Sequence, residues 1–160
     1  MKKTIIIFIL LLSFGAFAQN KEENATKINS IALQSDRIIG QDQFGFSYFI
    51  LNNVFHKMKD NKAFEYKNVS LGKITTVDIK NPLKILLYYE NFNTVILLDN
   101  QLNEVQKINF SENGGSLVVS GIGIAAQNQL WIYNNLNQQI GLFDYLKNEY
   151  KSISTPLAGK

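Results

Sequence analysis

The carboxylates are the residues most open to a chemical reading. Asp99 and Glu104 stand in "DNQLNE" (99–104), and Asp144 and Glu149 hold the matching places in "DYLKNE" (144–149). Asp99 and Glu104 would offer oxygens to a hard cation, but calcium takes about six to eight oxygen ligands. Each loop reads better as a hairpin connection, with Asp opening the turn and Asn in a left-handed position. Asp42, Asp78, Glu90 and Asp99 are available for paired-carboxylate work on a glycosidic bond, which needs two carboxyl groups set several ångströms apart on facing elements. Nothing in their spacing says which of them converge. His56 is the only histidine and there is no cysteine, so no nucleophile–base pair of the Ser/His or Cys/His kind is written. Zinc wants three or four His, Cys or carboxylate ligands, and the chain does not group them. "SGIGIAA" (120–126) contains G-x-G without a third glycine or a following helix. It reads as a tightly packed inner strand rather than a phosphate loop. No catalytic residue, metal site or cofactor is therefore assigned.

Aromatic side chains are the remaining candidates. Phe44, Phe46, Tyr48, Tyr88, Tyr133 and Phe143 read as core. Tyr89, Phe92 and Trp131 are the ones set aside as a surface for a ligand, because aromatic faces bind sugars and peptides well.

The elements that must position these residues are short. Beyond residue 30 the apolar runs are five to seven residues long, rich in Ile, Val, Leu, Tyr and Phe, and separated by Asn, Asp, Gly and Gln. That is the pattern of strands and turns, and helical spacing is nowhere sustained. Short connections favour antiparallel hairpins. The expected fold class is all-β.

The runs also repeat. Setting Asp99 on Asp144 gives an offset of 45 that holds without a gap from Val77/Ile122 to Ile108/Ile153. Tyr88/Tyr133, Leu97/Leu142 and Glu104/Glu149 are identical across it, and Leu86/Trp131 and Val95/Ile140 are apolar for apolar. Each unit parses as four strands: near 73–79, 83–89, 93–98 and 104–110, then near 117–125, 129–134, 138–143 and 149–154. Residues 30–67 fit the same scheme, near 31–39, 46–51, 54–58 and 63–67. Four antiparallel strands at a period of about 45 residues make a β-propeller blade, which buries its two faces against neighbouring blades. The blades are placed at about 30–68, 73–111 and 116–155.

The stretches "NPLKILLYYENFNTVILLDNQLNEVQKINF" and "NQLWIYNNLNQQIGLFDY" resemble the exported, poorly characterised β-propeller proteins of Bacteroidota. The resemblance covers most of 30–155 and implies the fold; it carries no catalytic residue. Three blades fall short of the about four to eight that close a ring. The reading is an incomplete ring, either a shortened gene product, which is preferred, or a unit that pairs with further copies of itself. Both leave a blade face and a sheet edge open to association.

The address is written at the start. Lys2 and Lys3, the apolar run Ile5 to Leu12 and the small-x-small Ala16-Phe17-Ala18 lay out a secretory signal peptide over 1–18. The run is too short for a membrane span, and the absence of cysteine removes a lipoprotein anchor. No integral membrane segment is expected after cleavage. Residues 19–29 read as a solvated leader. With Lys2 and Lys3 removed, 16 basic against 13 acidic residues become 14 against 13, a charge of +1. Nothing remains to attract nucleic acid. The functional reading is an exported, non-enzymatic binding or scaffold module of the cell envelope. Its place is periplasmic, outer-membrane-associated or extracellular, and its partner a protein or glycan. The alternative is a fragment of an envelope propeller enzyme acting on a sugar or peptide.

Overall fold

A computed structural model describes residues 33–112 and 117–157. The expected signal peptide (1–18) and leader (19–29) lie outside the described residues. Among those described, twelve strands form three four-stranded antiparallel meanders, and there is no α-helix. The first sheet holds β1 (Arg37–Gln41), β2 (Ser47–Leu51), β3 (Val54–Lys59) and β4 (Lys62–Tyr66). The second holds β5 (Thr76–Asp78), β6 (Ile85–Tyr89), β7 (Thr94–Leu98) and β8 (Glu104–Asn109). The third holds β9 (Val119–Ile124), β10 (Gln129–Asn134), β11 (Gln139–Asp144) and β12 (Glu149–Ser152). These are three propeller blades, as the repeat implies.

The hairpins follow from their turn residues. Asn52 and Asn53 both take positive φ, 51° and 60°, in the two-residue loop that pairs Leu51 with Val54, the geometry matched to the right-handed twist of the flanking strands. Asp99 and Asp144 both act as turn caps. Asp99 Oδ1 accepts from the backbone N–H groups of Gln101 (2.8 Å) and Asn103 (2.9 Å), and Asp144 Oδ1 from those of Leu146 and Lys147 (both 3.1 Å). The left-handed residue differs between the loops. It is Asn148 in the third blade, as the sequence suggests, but Leu102 in the second. Leu102 tolerates that backbone because its side chain is buried in the core between the first two blades.

Two strands begin later than the apolar runs imply. β1 starts at Arg37, and β5 is only three residues long. The segment before β5 is held by side chains instead of a ladder: Asn53 Nδ2 donates to Gly72 O (2.6 Å), and Ile74 N–H donates to Asn53 Oδ1 (3.0 Å).

Burial runs between the sheets. One core joins the first and second blades through Tyr48, Ile50, Phe55, Leu87, Tyr89 and Ile96. The other joins the second and third through Leu86, Tyr88, Val95, Leu130, Ile132 and Phe143. β6 ("ILLYY") and β7 ("TVILL") are buried at every position because a blade covers each of their faces, which is why they read as continuous apolar runs. β10 has the second blade on one face and no described blade on the other, and its burial alternates.

Candidate functional site

Alternation puts every second residue of a strand on one face, and the ladder pairing shows which residues of the three blades correspond. In the first blade Tyr48, Ile50, Phe55, Lys57, Phe64 and Tyr66 share the face turned to the second blade. Their counterparts in the second blade, Leu86, Tyr88, Val95, Leu97, Gln106 and Ile108, face the third. The counterparts in the third are Trp131, Tyr133, Ile140, Leu142, Lys151 and Ile153. We call this the leading face of each blade, and the opposite side the trailing face.

The contrast in exposure marks the site. Leu86 and Val95 are 0% and Ile108 is 3% exposed, whereas Trp131, Ile140 and Ile153 are 44%, 38% and 54% exposed. Tyr133 and Leu142 are half-buried between them. The third blade thus presents an apolar sheet face of the composition that elsewhere in the chain packs against another blade. Gly121 and Gly123 flatten its inner edge. A Cβ on Gly121 would sit 3.3 Å from Tyr133 Cβ, and one on Gly123 would sit 3.4 Å from Asp78 Oδ2. The inner-strand reading of "SGIGIAA" therefore holds, with Gly123 admitting the second blade's carboxylate.

Recurring polar contacts set the register between blades. An asparagine closes the hairpin before the third strand of each of the first two blades and reaches the next blade. Asn93, at φ 46°, donates from Nδ2 to Leu117 O (2.6 Å) and accepts from Val119 N–H at Oδ1 (3.2 Å), as Asn53 does to Gly72 and Ile74. Gln138, at φ 55°, is the counterpart in the third blade. A second contact joins the leading face to the turn after the next blade's third strand: Lys57 Nζ donates to Asn100 O (2.7 Å), and Gln106 Nε2 to Tyr145 O (3.2 Å).

Lys57 is a residue that sequence reasoning missed. It is buried, with Nζ 4.5 Å from the centroid of Phe46 and within 6 Å of Tyr48 and Phe64. Burial pulls its pKa down, against the opposing pull of Asp42 and Asp99. The signal was present in the period of "VFHKMK", which puts Lys57 on the same face as Phe55.

The aromatics singled out from the sequence do not form one surface. Tyr89 is fully buried between the first two blades, so its place on a ligand surface is corrected: β6 is covered on both sides. Phe92 is half-exposed on the turn Glu90–Phe92, beside Gly72. Trp131 alone of the three lies on the third blade's leading face.

The ionisable candidates are held by structure. Asp42 Oδ1 accepts from the N–H groups of Phe44 (2.9 Å) and Phe46 (3.0 Å), and Oδ2 from the Tyr48 hydroxyl (2.8 Å). Burial pushes its pKa up, but these bonds outweigh it and hold the carboxyl below its usual range. The Asn103 side chain leads in doing the same for Asp99. Asp78 accepts from Lys80 N–H and from Ile124 N–H of the third blade, both at 3.0 Å. His56 stacks on Phe49 at 4.8 Å, with Glu65 4.0 Å from Nδ1. Among the described residues no three His, Cys, Asp or Glu side chains gather as a metal site. An open cleft of about 580 Å³ beside the first-to-second junction is lined by Asp36, Arg37, Ile50, Asn53, Lys73 and Ile74; Arg37 spans it to Thr75 O at 2.9 Å.

No family model and no curated protein matches the chain. Solved structures do. A catalytically inactive variant of virginiamycin B lyase from Staphylococcus aureus, with quinupristin, matches at 14% identity and a TM-score of 0.53, over 76% of this chain and 41% of that one. The selenomethionine-substituted form of the lyase matches at 14% identity and a TM-score of 0.51, over 75% and 41%. The lyase is a β-propeller protein, and the likeness establishes the propeller fold. The chain spans about two fifths of the length of these structures.

Proposed function

We propose that the protein is exported and serves as a non-enzymatic binding or scaffold module of the cell envelope. The observation that carries this reading is the third blade's leading face, an apolar sheet surface centred on Trp131 and Leu142 that no described part of the chain covers. Exposed apolar patches rimmed by polar residues mark association surfaces, and Lys151 and Gln129 rim this one. Export is supported by the charged, apolar and small-x-small order of residues 2–18. A binding role rather than a catalytic one is supported by the carboxylates, since Asp42, Asp78, Asp99 and Asp144 each accept at least two hydrogen bonds that close turns or join blades. The partner is a protein or glycan of the envelope.

The test is fractionation followed by capture. The processed chain should begin at Gln19 and appear outside the cytoplasm, and the wild-type chain should retain an envelope component that a Trp131→Glu variant releases. A chain that keeps residues 1–18 and stays in the cytoplasm would sink the export reading. Equal retention by the variant would sink the surface.

A further inference from the structure

We infer that the occupant of the third blade's leading face is the first blade of a second copy of this chain, so that two copies close one six-bladed ring. This inference rests on the binding reading above and names its partner.

A leading face is covered in this fold by a trailing face, and among the described residues the first blade's trailing face meets no other blade. The trailing faces of the second and third blades are buried in the two cores. That of the first blade presents Ile38, Phe49, Val54, His56 and Met58, the last four at the ladder positions of Leu87, Thr94, Ile96 and Leu98 in the second blade. Ile38 is 67% exposed there, Val54, His56 and Met58 are half-buried, and Phe49, stacked on His56, is 6% exposed. The three described blades therefore hold both halves of one further junction on their two outer faces, and the stack of all three blades keeps those halves apart within one copy. A two-fold axis between two copies makes that junction twice and covers every face of the described blades. Six blades lie within the about four to eight that close a ring, and a closed point group ends the assembly at the dimer.

Charge supports the second copy over an unrelated partner. At the two junctions within the chain, a polar residue of the leading face donates to the turn after the next blade's third strand, Lys57 to Asn100 and Gln106 to Tyr145. The ladder places Lys151 at the position of Gln106, and Asp60 at the position of Asn100 and Tyr145. Both are exposed. In the ring, Lys151 of one copy meets Asp60 of the other, an opposite-charge pair where the second-to-third junction has a neutral bond.

Trp131 is the only tryptophan of the chain and reports on the junction directly. With the chain purified as the cell processes it, sedimentation equilibrium should give two chains per particle. Trp131 emission should move to shorter wavelength as concentration rises through the dissociation constant. Leu142→Glu should give a folded monomer with β-type circular dichroism and red-shifted emission. Lys151→Glu and Asp60→Lys should each weaken the dimer by about tenfold, and the double reversal should restore it to within about threefold. A chain that is monomeric at every concentration overturns the inference, as does a dimer indifferent to Leu142→Glu or an assembly of more than two copies. A monomer that still retains an envelope component through Trp131 overturns the second copy while leaving the binding module standing; a monomer that retains none overturns both.

Discussion

Replacing Asn93 with Ala tests how the blades are locked together. Asn93 Nδ2 donates to Leu117 O at 2.6 Å, and its Oδ1 accepts from Val119 N–H at 3.2 Å. Leu117 and Val119 are 4% and 3% exposed, so water does not readily replace the lost partner. Leaving a buried donor or acceptor unsatisfied costs about 1–3 kcal/mol each. The residue also stands at φ 46°, which Asn tolerates and which costs Ala roughly 1 kcal/mol more. The sum is about 3–7 kcal/mol, a large share of the roughly 5–15 kcal/mol that stabilises a domain. Tyr88 loses one acceptor in the same change but keeps Val119 O at 2.6 Å. Asn93→Gly relieves the backbone and should recover only that part, leaving roughly 2–6 kcal/mol. Urea unfolding followed by circular dichroism gives these differences from the shift in midpoint at constant slope. If Asn93→Ala lies within about 0.5 kcal/mol of wild type, the side chain is not a lock between blades, and the parallel assigned to Asn53 falls with it.

Gly141→Ala should destabilise by about 1–3 kcal/mol as an overpacked core position, because the new Cβ would lie 2.5 Å from Tyr150 Cε2 and 2.6 Å from Lys151 O; thermal melting checks this, and an unchanged midpoint would show that β12 gives way freely. The chain should also lose stability in alkali. Burial, and then the Glu104 carboxylate that accepts its hydroxyl at 2.7 Å, push the Tyr66 pKa up to about 12, and burial raises those of Tyr48, Tyr88 and Tyr89 further. A folded-state pKa above the unfolded value favours the native state below the unfolded pKa, so this contribution is intact up to about pH 10 and declines as pH rises toward and past 12. Absorbance at the tyrosinate band should rise together with unfolding; full ionisation near pH 10 in a folded chain would contradict the burial of these hydroxyls.

The strands and turns of this protein were legible because local rules set them. "SYFIL" to "NN" to "VFHKM" is a hairpin on β propensity and two left-handed asparagines, and the structure has it at Ser47–Leu51 and Val54–Lys59. The recurrence of Asp99 at Asp144 identified matching turns, and both carboxylates do cap backbone N–H groups there. The candidate surface was less legible. Tyr89 and Trp131 both sit in apolar strands of corresponding blades, yet one is fully buried and the other 44% exposed. Nothing within a few residues of either distinguishes them. Alternation puts Lys57 on the face of Phe55, but only the stacked blades show it closing an aromatic box of the first blade and reaching Asn100 of the second.

By itself the sequence determined the all-β class, the four-stranded repeat and the turn chemistry, because alternation, β propensity and left-handed backbone are properties of neighbouring residues. Only the tertiary structure decided which faces are covered, because a sheet face is dried by another sheet some 40 residues away, and alternation assigns a residue to a face without saying what that face meets. Trp131 is apolar by type and exposed by position, and that combination is visible only once the blades are stacked.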